Sequence, residues 1–317
     1  MQKRRALVTG GAGFIGSHLC EQLLADNFSL TVLDNFDPFY DKSIKQNNLQ
    51  HFISHPDCRF VEMDIRDFDK LLENCPEEFD LIIHLAAKAG VRPSIENPFD
   101  YQTVNVNGTQ NLLEFAKLKG IKQFIFASSS SVYGINPNVP WIESDHVLNP
   151  ISPYASTKIS GELLGHVYSN LYGIRFIALR FFTVFGPRQR PDLAIHLFAK
   201  RILNNQPIKK FGDGNTLRDY TYVDDIVGGI IKAISYKDSL FEVFNLGNHQ
   251  TISLNQMIQT LENTLHQKAT LELLPQQPGD VPETYADITK SQMLLGYSPV
   301  VSFEEGVRRF TKWLLPN

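Results

Sequence analysis

The sequence predicts a doubly wound parallel α/β sheet with a smaller mixed lobe toward the C-terminus, and three observations carry that prediction. Short apolar runs recur with helical stretches between them, none of the runs alternates strictly, and after about Phe182 the rhythm breaks into loops rich in Pro and Gly. Runs without alternation are what strands covered on both faces look like. Their repetition with intervening helices gives parallel neighbours joined by right-handed crossovers.

The first strand is "RALVTG" (residues 5–10), and the "GSHLCEQLLADN" that follows (16–27) spaces its apolar residues by three and four, as a helix with one buried stripe does. "SLTVLDN" (29–35), "CRFVEMD" (58–64), "DLIIHLAA" (80–87), "QFIFASS" (123–129) and "RFIALRFF" (175–182) read as the next five strands. Helices are expected over 99–120, which contains "NGTQNLLEFAKLKG", and over 153–173. "FGDGNTLRDY" (211–220) and "LPQQPGDVPETYAD" (274–287) fall in the smaller lobe, laid over the carboxyl ends of the strands, where ligands of such sheets bind. "EVFNLG" (242–247) looks like a strand returning to the main sheet. The two parts therefore interleave: residues 1–182 with about 223–250 form the larger, and about 183–222 with 251–317 the smaller.

Composition excludes several function classes. The 317 residues are 43% apolar and 20% charged, with a net charge of -4 and scattered basic residues, so neither nucleic acid nor a membrane surface has an electrostatic footprint. No stretch approaches the ~18 to 20 apolar residues that span a bilayer. Cys20, Cys58 and Cys75 have neither CxxC nor metal-ligand spacing, which points to a reducing, cytoplasmic compartment and to no metal.

"ALVTGGAGFIGSHL" places a strand directly before Gly10, Gly11, Gly13 and Gly16 and a helix directly after. Glycines keep this turn tight, and the backbone N–H groups at the helix start, around Phe14 and Ile15, can then meet a pyrophosphate. Asp34 closes the second strand 24 positions after Gly10, near the ~20-residue offset of a carboxylate that binds a ribose diol. Asn35 and Phe36 follow it with no adjacent Arg, so a 2′-phosphate meets a negative charge and no cation, and NAD is favoured over NADP. Asp64 and Ile65, and Leu85, Ala86 and Ala87, stand at strand ends where adenine and ribose contacts fall. The larger part is thus a Rossmann-type NAD-binding unit.

"NPISPYASTKISGELL" opens a helix at Ser152 and Pro153. Tyr154 and Lys158, four residues apart, share one face of it. Lys158 and the positive helix end both favour the phenolate, which would make Tyr154 a usable proton acceptor at neutral pH. "FASSSSVYG" runs a strand into a hydroxyl cluster, and Ser129, 25 positions before the tyrosine, can bond the oxygen that Tyr154 deprotonates. Arg188 and Arg190 stand beside two prolines in "FFTVFGPRQRPDLA" (181–194), on the loop that leaves the core.

These stretches, with "DNFDPFYD", "HLAAKAGVRPSIENP", "LRFFTVFGPRQRPD", "TLRDYTYVDD" and "QPGDVPETYAD", resemble the extended short-chain dehydrogenase/reductases over essentially the whole chain. The likeness is to the nucleotide-sugar epimerases, nearest to those acting on UDP-glucuronate, whose pattern has a Thr after the double Phe and Gly-x-x-x-Arg-Pro-Asp, here Thr183 and residues 186–192. The resemblance implies 4-epimerisation of a UDP-sugar by transient oxidation at C4 with bound NAD, through a 4-keto sugar. It implies Tyr154 as base, Lys158 on the nicotinamide ribose, Ser129 on O4 and Asn105 in the cofactor set. It further implies Arg218 at the diphosphate, and Asp280 and residues 194–198 near the uridine. Arg190 is assigned the C5 carboxylate, since an Arg fork clamps a carboxylate by two parallel hydrogen bonds. Thr183, Ser130 and Arg92 assist, and Arg188 is the weaker candidate for the clamp.

Dehydratases of this family carry Asp-Glu after the hydroxyl residue, and decarboxylases a Glu where Ser131 stands; this chain has Ser130 and Ser131. "KSIKQNNLQ" (42–50) is less basic than the usual run after the second strand. The alternatives are a UDP-glucose or UDP-N-acetylglucosamine 4-epimerase, which needs no carboxylate clamp, and a non-catalytic NAD-binding protein. Exposed apolar faces on the helices over 99–120 and 153–173 are expected to seat a homodimer.

Overall fold

The computed structural model describes residues 3–275 and 281–315. Its strands are β1 (Arg5–Thr9), β2 (Ser29–Asp34), β3 (Cys58–Glu62), β4 (Leu81–His84), β5 (Gln123–Ser129), β6 (Arg175–Phe181), β7 (Thr183–Phe185), β8 (Ile208–Phe211), β9 (Leu217–Tyr222), β10 (Phe241–Leu246), β11 (Thr251–Ser253), β12 (Leu271–Leu274) and β13 (Glu283–Thr284). Seven of them form one sheet in the order β10-β6-β5-β4-β1-β2-β3, and every neighbouring pair is parallel. The seven apolar runs are these seven strands, including the late return of β10 beside β6. Successive residues of a strand point to opposite faces, so each face needs its own apolar cover. Val8, Val32, Ile83, Ile125 and Leu179 lie in one buried cluster, and Leu7, Leu33, Ile82, Phe124 and Phe176 in the other.

From β1 the chain order runs outward in both directions, through β2 on one side and β4 on the other. At such a switch point the connections diverge and leave a crevice beyond the carboxyl ends of the two central strands. The glycine loop after β1 and Leu85–Ala87 after β4 border that crevice.

The remaining strands are short and mixed. β9 pairs antiparallel with β11 and parallel with β7 and β13, while β8 and β12 form a separate parallel pair. Asp219 on β9 is fully buried and accepts the backbone N–H of Asn248, His249 and Ala286 at 2.7, 3.1 and 3.2 Å. One carboxylate thus fastens two loops to this strand.

One expected element differs. Residues 99–120 are not a uniform α-helix: a short turn Pro98–Tyr101 passes into a π-helical stretch Gln102–Asn107 and then the α-helix Gly108–Lys119. The wider turn lets Asn105 point inward, where its amide accepts from Lys88 N at 2.8 Å and donates to Lys88 O and Thr157 Oγ1 at 2.9 and 3.0 Å. Periodicity alone cannot register a local change of helical pitch.

Candidate active site

The crevice holds a cavity of about 380 Å³ whose floor is the glycine loop. Gly10 has φ +73°, and a Cβ there would lie 2.7 Å from Ala86 N, so no larger residue lets β1 and the loop after β4 approach. The helix Phe14–Ala25 begins at Gly13 with no side-chain cap and no acid in its first turn. Its free N–H groups open on the cavity, since Gly13, Phe14, Ile15 and Gly16 all line it. Uncapped donors and the positive helix end suit a pyrophosphate, and this is the feature by which the cavity fits NAD.

Asp34 and Asn35 at the end of β2, and Asp64 and Ile65 after β3, also face this space. Asp34 is buried, and accepts Ala12 N at 3.2 Å and Phe36 N at 2.9 Å. The expectation that no cation stands here needs correction. Lys45, from the helix Lys42–Gln50, is itself buried, lines the cavity and sets its Nζ 3.5 Å from Asp34 Oδ1. The lysine lies eleven residues beyond Asp34 and reaches back from the helix Lys42–Gln50, which adjacency in sequence does not reveal. Asn35 and Asp64 bond each other at 2.9 Å, and Arg66 forks the Asp64 carboxylate at 2.9 and 2.7 Å, holding it below the usual carboxylate range in spite of partial burial. Asn105 does not line the cavity; its amide is spent on bracing Lys88 in the loop beside it.

Ser129, Tyr154 and Lys158 meet at the other end of the same cavity. The helix Pro153–Tyr172 starts where the sequence places it: Ser152 Oγ accepts Ala155 N at 3.1 Å and Pro153 fills the first position. It lies close against the sheet through Gly161 and Gly165, where a Cβ would come within 2.3 Å of Phe126 and 2.2 Å of Phe176. Lys158 Nζ donates to Ala127 O at 2.7 Å and sits 5.9 Å from the Tyr154 ring. Burial pushes this ammonium down to about 7, against the pull of Glu162 one turn further on. Glu162 is itself forked by Arg180 at 3.0 and 2.8 Å and bonded by Ser128 Oγ at 2.5 Å. Burial raises the Tyr154 phenol; a hydrogen bond with Ser129 and the charge of Arg190 pull it back. The phenol thus lies above its ordinary value, contrary to the expectation from the sequence, and the cation that opposes this is Arg190 rather than Lys158.

The two loop arginines part company. Arg188, at φ +62°, turns back to Glu21 on the helix Phe14–Ala25 at 2.5 Å and is mostly buried. Arg190 and Thr183 line the cavity beside Tyr154. Its guanidinium lies 4.9 Å from the Phe39 ring, donates from Nε and Nη2 to Asp192 at 3.0 and 2.7 Å, and reaches Ala89 O from Nη1 at 3.5 Å. Ser130 opens a 3₁₀ turn, Ser130–Tyr133, and does not line the cavity.

Asp192 also lines a second cavity, of about 340 Å³. Arg92, Arg201, Lys209 and Arg218 supply its positive charge, and Phe198, Phe211 and Tyr220 its flat apolar surface. Cations beside aromatic faces suit a nucleoside diphosphate. Ala194, Phe198 and Arg218 were expected near a nucleotide; Arg92 was expected beside the carboxylate clamp and lines this cavity instead, and Asp192, Arg201 and Lys209 were not singled out for it. Asp280 lies outside the described residues. Among the described residues, no cluster of His, Cys, Asp and Glu is arranged to hold a metal ion.

Residues 6–247 match the NAD-dependent epimerase/dehydratase family. The chain is 42% identical to a UDP-glucuronate 4-epimerase of Thermodesulfobacterium geofontis, over 98% of this chain and 96% of that one. It is similar to the crystal structure of UDP-glucuronic acid 4-epimerase from Bacillus cereus in complex with UDP-glucuronic acid and NAD, with a TM-score of 0.91, 39% identity and 98% of both chains covered. It is also similar to a UDP-glucose 4-epimerase of Thermotoga maritima with UDP-glucose, with a TM-score of 0.90, 33% identity and 98% of both chains covered.

Proposed function

The chain belongs to the NAD-dependent epimerase/dehydratase family, and from that premise we propose that it interconverts UDP-glucuronate and UDP-galacturonate. It is an isomerase, an NAD-dependent UDP-sugar 4-epimerase. The glycine loop and the N–H groups at Phe14 and Ile15 would hold the pyrophosphate, and Asp34 a ribose diol. Bound NAD supplies reversible oxidation at C4.

Tyr154 accepts the 4-hydroxyl proton on one face and returns it after the keto sugar has turned over. Ser129 shares that oxygen, and its hydrogen bond opposes the upward push of burial on the phenol. Lys158, whose ammonium burial brings down to about 7, would hold the nicotinamide ribose. Residues 1–182 with about 223–250 bind NAD, and 183–222 with 251–317 the UDP-sugar; Arg92 and Arg218 meet the diphosphate.

One observation carries the uronate choice: the Arg190 guanidinium, paired with Asp192, lines the cavity that holds Tyr154 and Thr183. A carboxylate at C5 fits that fork, and clamping it holds the β-keto acid in a conformation that resists loss of CO2. Arg190→Ala is expected to lower kcat/KM for UDP-glucuronate by about a hundredfold or more, measured by interconversion without net NADH. A near-normal rate would discard the assignment. UDP-glucose or UDP-N-acetylglucosamine as the substrate is the second reading, favoured by the fact that Asp192 holds the Arg190 fork.

The free cysteines suit a reducing cytoplasm. A homodimer through the helices Gly108–Lys119 and Pro153–Tyr172 suits their exposed Leu118, Leu163, Val167 and Leu171.

A further inference from the structure

We propose that Asp192 sets how strongly the hexose site discriminates a uronate from an uncharged sugar, by competing with the substrate carboxylate for Arg190. The inference rests on the uronate reading above and adds the residue that tempers it. Arg190 is largely enclosed, with a side chain 18% exposed, and a guanidinium in that position needs an anion. Asp192, two residues on, supplies one in the same two-bond geometry that a sugar carboxylate would use.

The pair spans the boundary of the two cavities, since Arg190 lines the one with Tyr154 and Asp192 the one with Arg218. A hexose joined to a nucleoside diphosphate has to lie across that boundary. When C6 is a neutral hydroxymethyl group, Arg190 keeps its own carboxylate and nothing charged is stranded. When C6 is a carboxylate, it takes the fork and Asp192 is released. The cost of release is modest, because the Asp192 side chain is 39% exposed and faces a cavity walled by Arg201, Lys209 and Arg218. A lone arginine would favour the uronate more steeply and reject neutral sugars harder than this pair does. Asp192 therefore acts through Arg190 and need not touch the reacting carbon.

The test is the ratio of kcat/KM for UDP-glucuronate to that for UDP-glucose, in the NAD-loaded enzyme. Asp192→Asn keeps the shape and removes the charge, and Asp192→Ser removes both; each is expected to raise the ratio about tenfold. The change is carried by KM, and by the dissociation constants read calorimetrically in a Tyr154→Phe background where turnover cannot intrude. Adding Arg190→Ala should abolish the effect of Asp192→Asn. An unchanged or falling ratio in correctly folded variants would show that Asp192 merely orients the arginine, and would overturn the proposal. A rise that persists without Arg190 would overturn it too. Failure of the unaltered enzyme to bind or turn over UDP-glucuronate, with UDP-glucose accepted, would overturn the uronate reading itself and this inference with it.

Discussion

Lys158 is enclosed with a carbonyl, not a carboxylate, as its direct partner: Nζ donates to Ala127 O, and Glu162 lies a turn away, held by Arg180. Burial brings its ammonium from an ordinary 10.5 down to about 7. Between those pH values the unfolded chain keeps a proton that the folded chain has shed. Stability therefore rises with pH across that window, by at most about 1.4 kcal/mol per unit, and the charged side chain is destabilising below it. Lys158→Met should remove this slope, so the stability of the unaltered protein relative to the variant should grow from pH 7 to pH 10 in urea titrations. A constant difference would show a lysine that is not held near neutrality. Lys45 carries a second residue-scale expectation. Asp34→Ser leaves its ammonium without the carboxylate 3.5 Å away, at the place where a 2′-phosphate would arrive. Affinity for NADP should rise relative to NAD by about tenfold or more, read by fluorescence titration; an unchanged preference would place Lys45 outside the ribose site.

At the scale of elements, the helix Pro153–Tyr172 is a positioning device. Its cap, Ser152, fixes where it starts, and Gly161 and Gly165 fix how closely it lies on the rings of Phe126 and Phe176. A methyl group at Gly161 would meet Phe126 at 2.3 Å, and a packed ring on a central strand has little room to give. Gly161→Ala should cost about 1–3 kcal/mol and lift the turn that carries Tyr154 and Lys158. Calorimetry should show the lower Tm and turnover the lower kcat; if both were retained, the close approach would be incidental. β9 depends in a similar way on Asp219, whose carboxylate accepts three backbone N–H groups from two loops. Asp219→Ala leaves those donors buried and unpaired and should destabilise by about 2–4 kcal/mol, read from urea midpoints.

For the whole molecule, the exposed apolar side chains have a pattern. Leu163, Val167 and Leu171 recur every four residues along one face of the helix Pro153–Tyr172, at 57%, 46% and 62% exposure. A stripe of that kind on a helix carrying active-site residues is expected to be covered by a second copy. Sedimentation at micromolar concentration should show a dimer, and Leu163→Glu with Leu171→Glu should shift it to monomer; a monomeric unaltered protein would remove the proposal. The Arg188–Glu21 ion pair joins the loop after β7 to the glycine-loop helix. The same loop thus sends one arginine to the glycine-loop helix and the next into the cavity that holds Tyr154.

The sequence by itself determined the sheet, the glycine loop and the Tyr154 helix. Each is written in contiguous residues whose backbone needs are local: apolar runs for β1 to β6 and β10, glycines for a tight turn, Ser152 and Pro153 for a helix start. The return of β10 to the main sheet was legible for the same reason; its place beside β6 was not. What was not legible depended on distant segments meeting: Lys45 folding back on Asp34, Asn105 drawn inward by a π-turn to hold Lys88, and Arg201 and Lys209 converging with Arg218. Even Arg190 and Asp192, two residues apart, could not be read as a pair, because side-chain direction on a loop is set by what encloses it. Only the tertiary structure decided that one of the two neighbouring arginines is spent on an ion pair with Glu21 while the other lines the cavity that holds Tyr154.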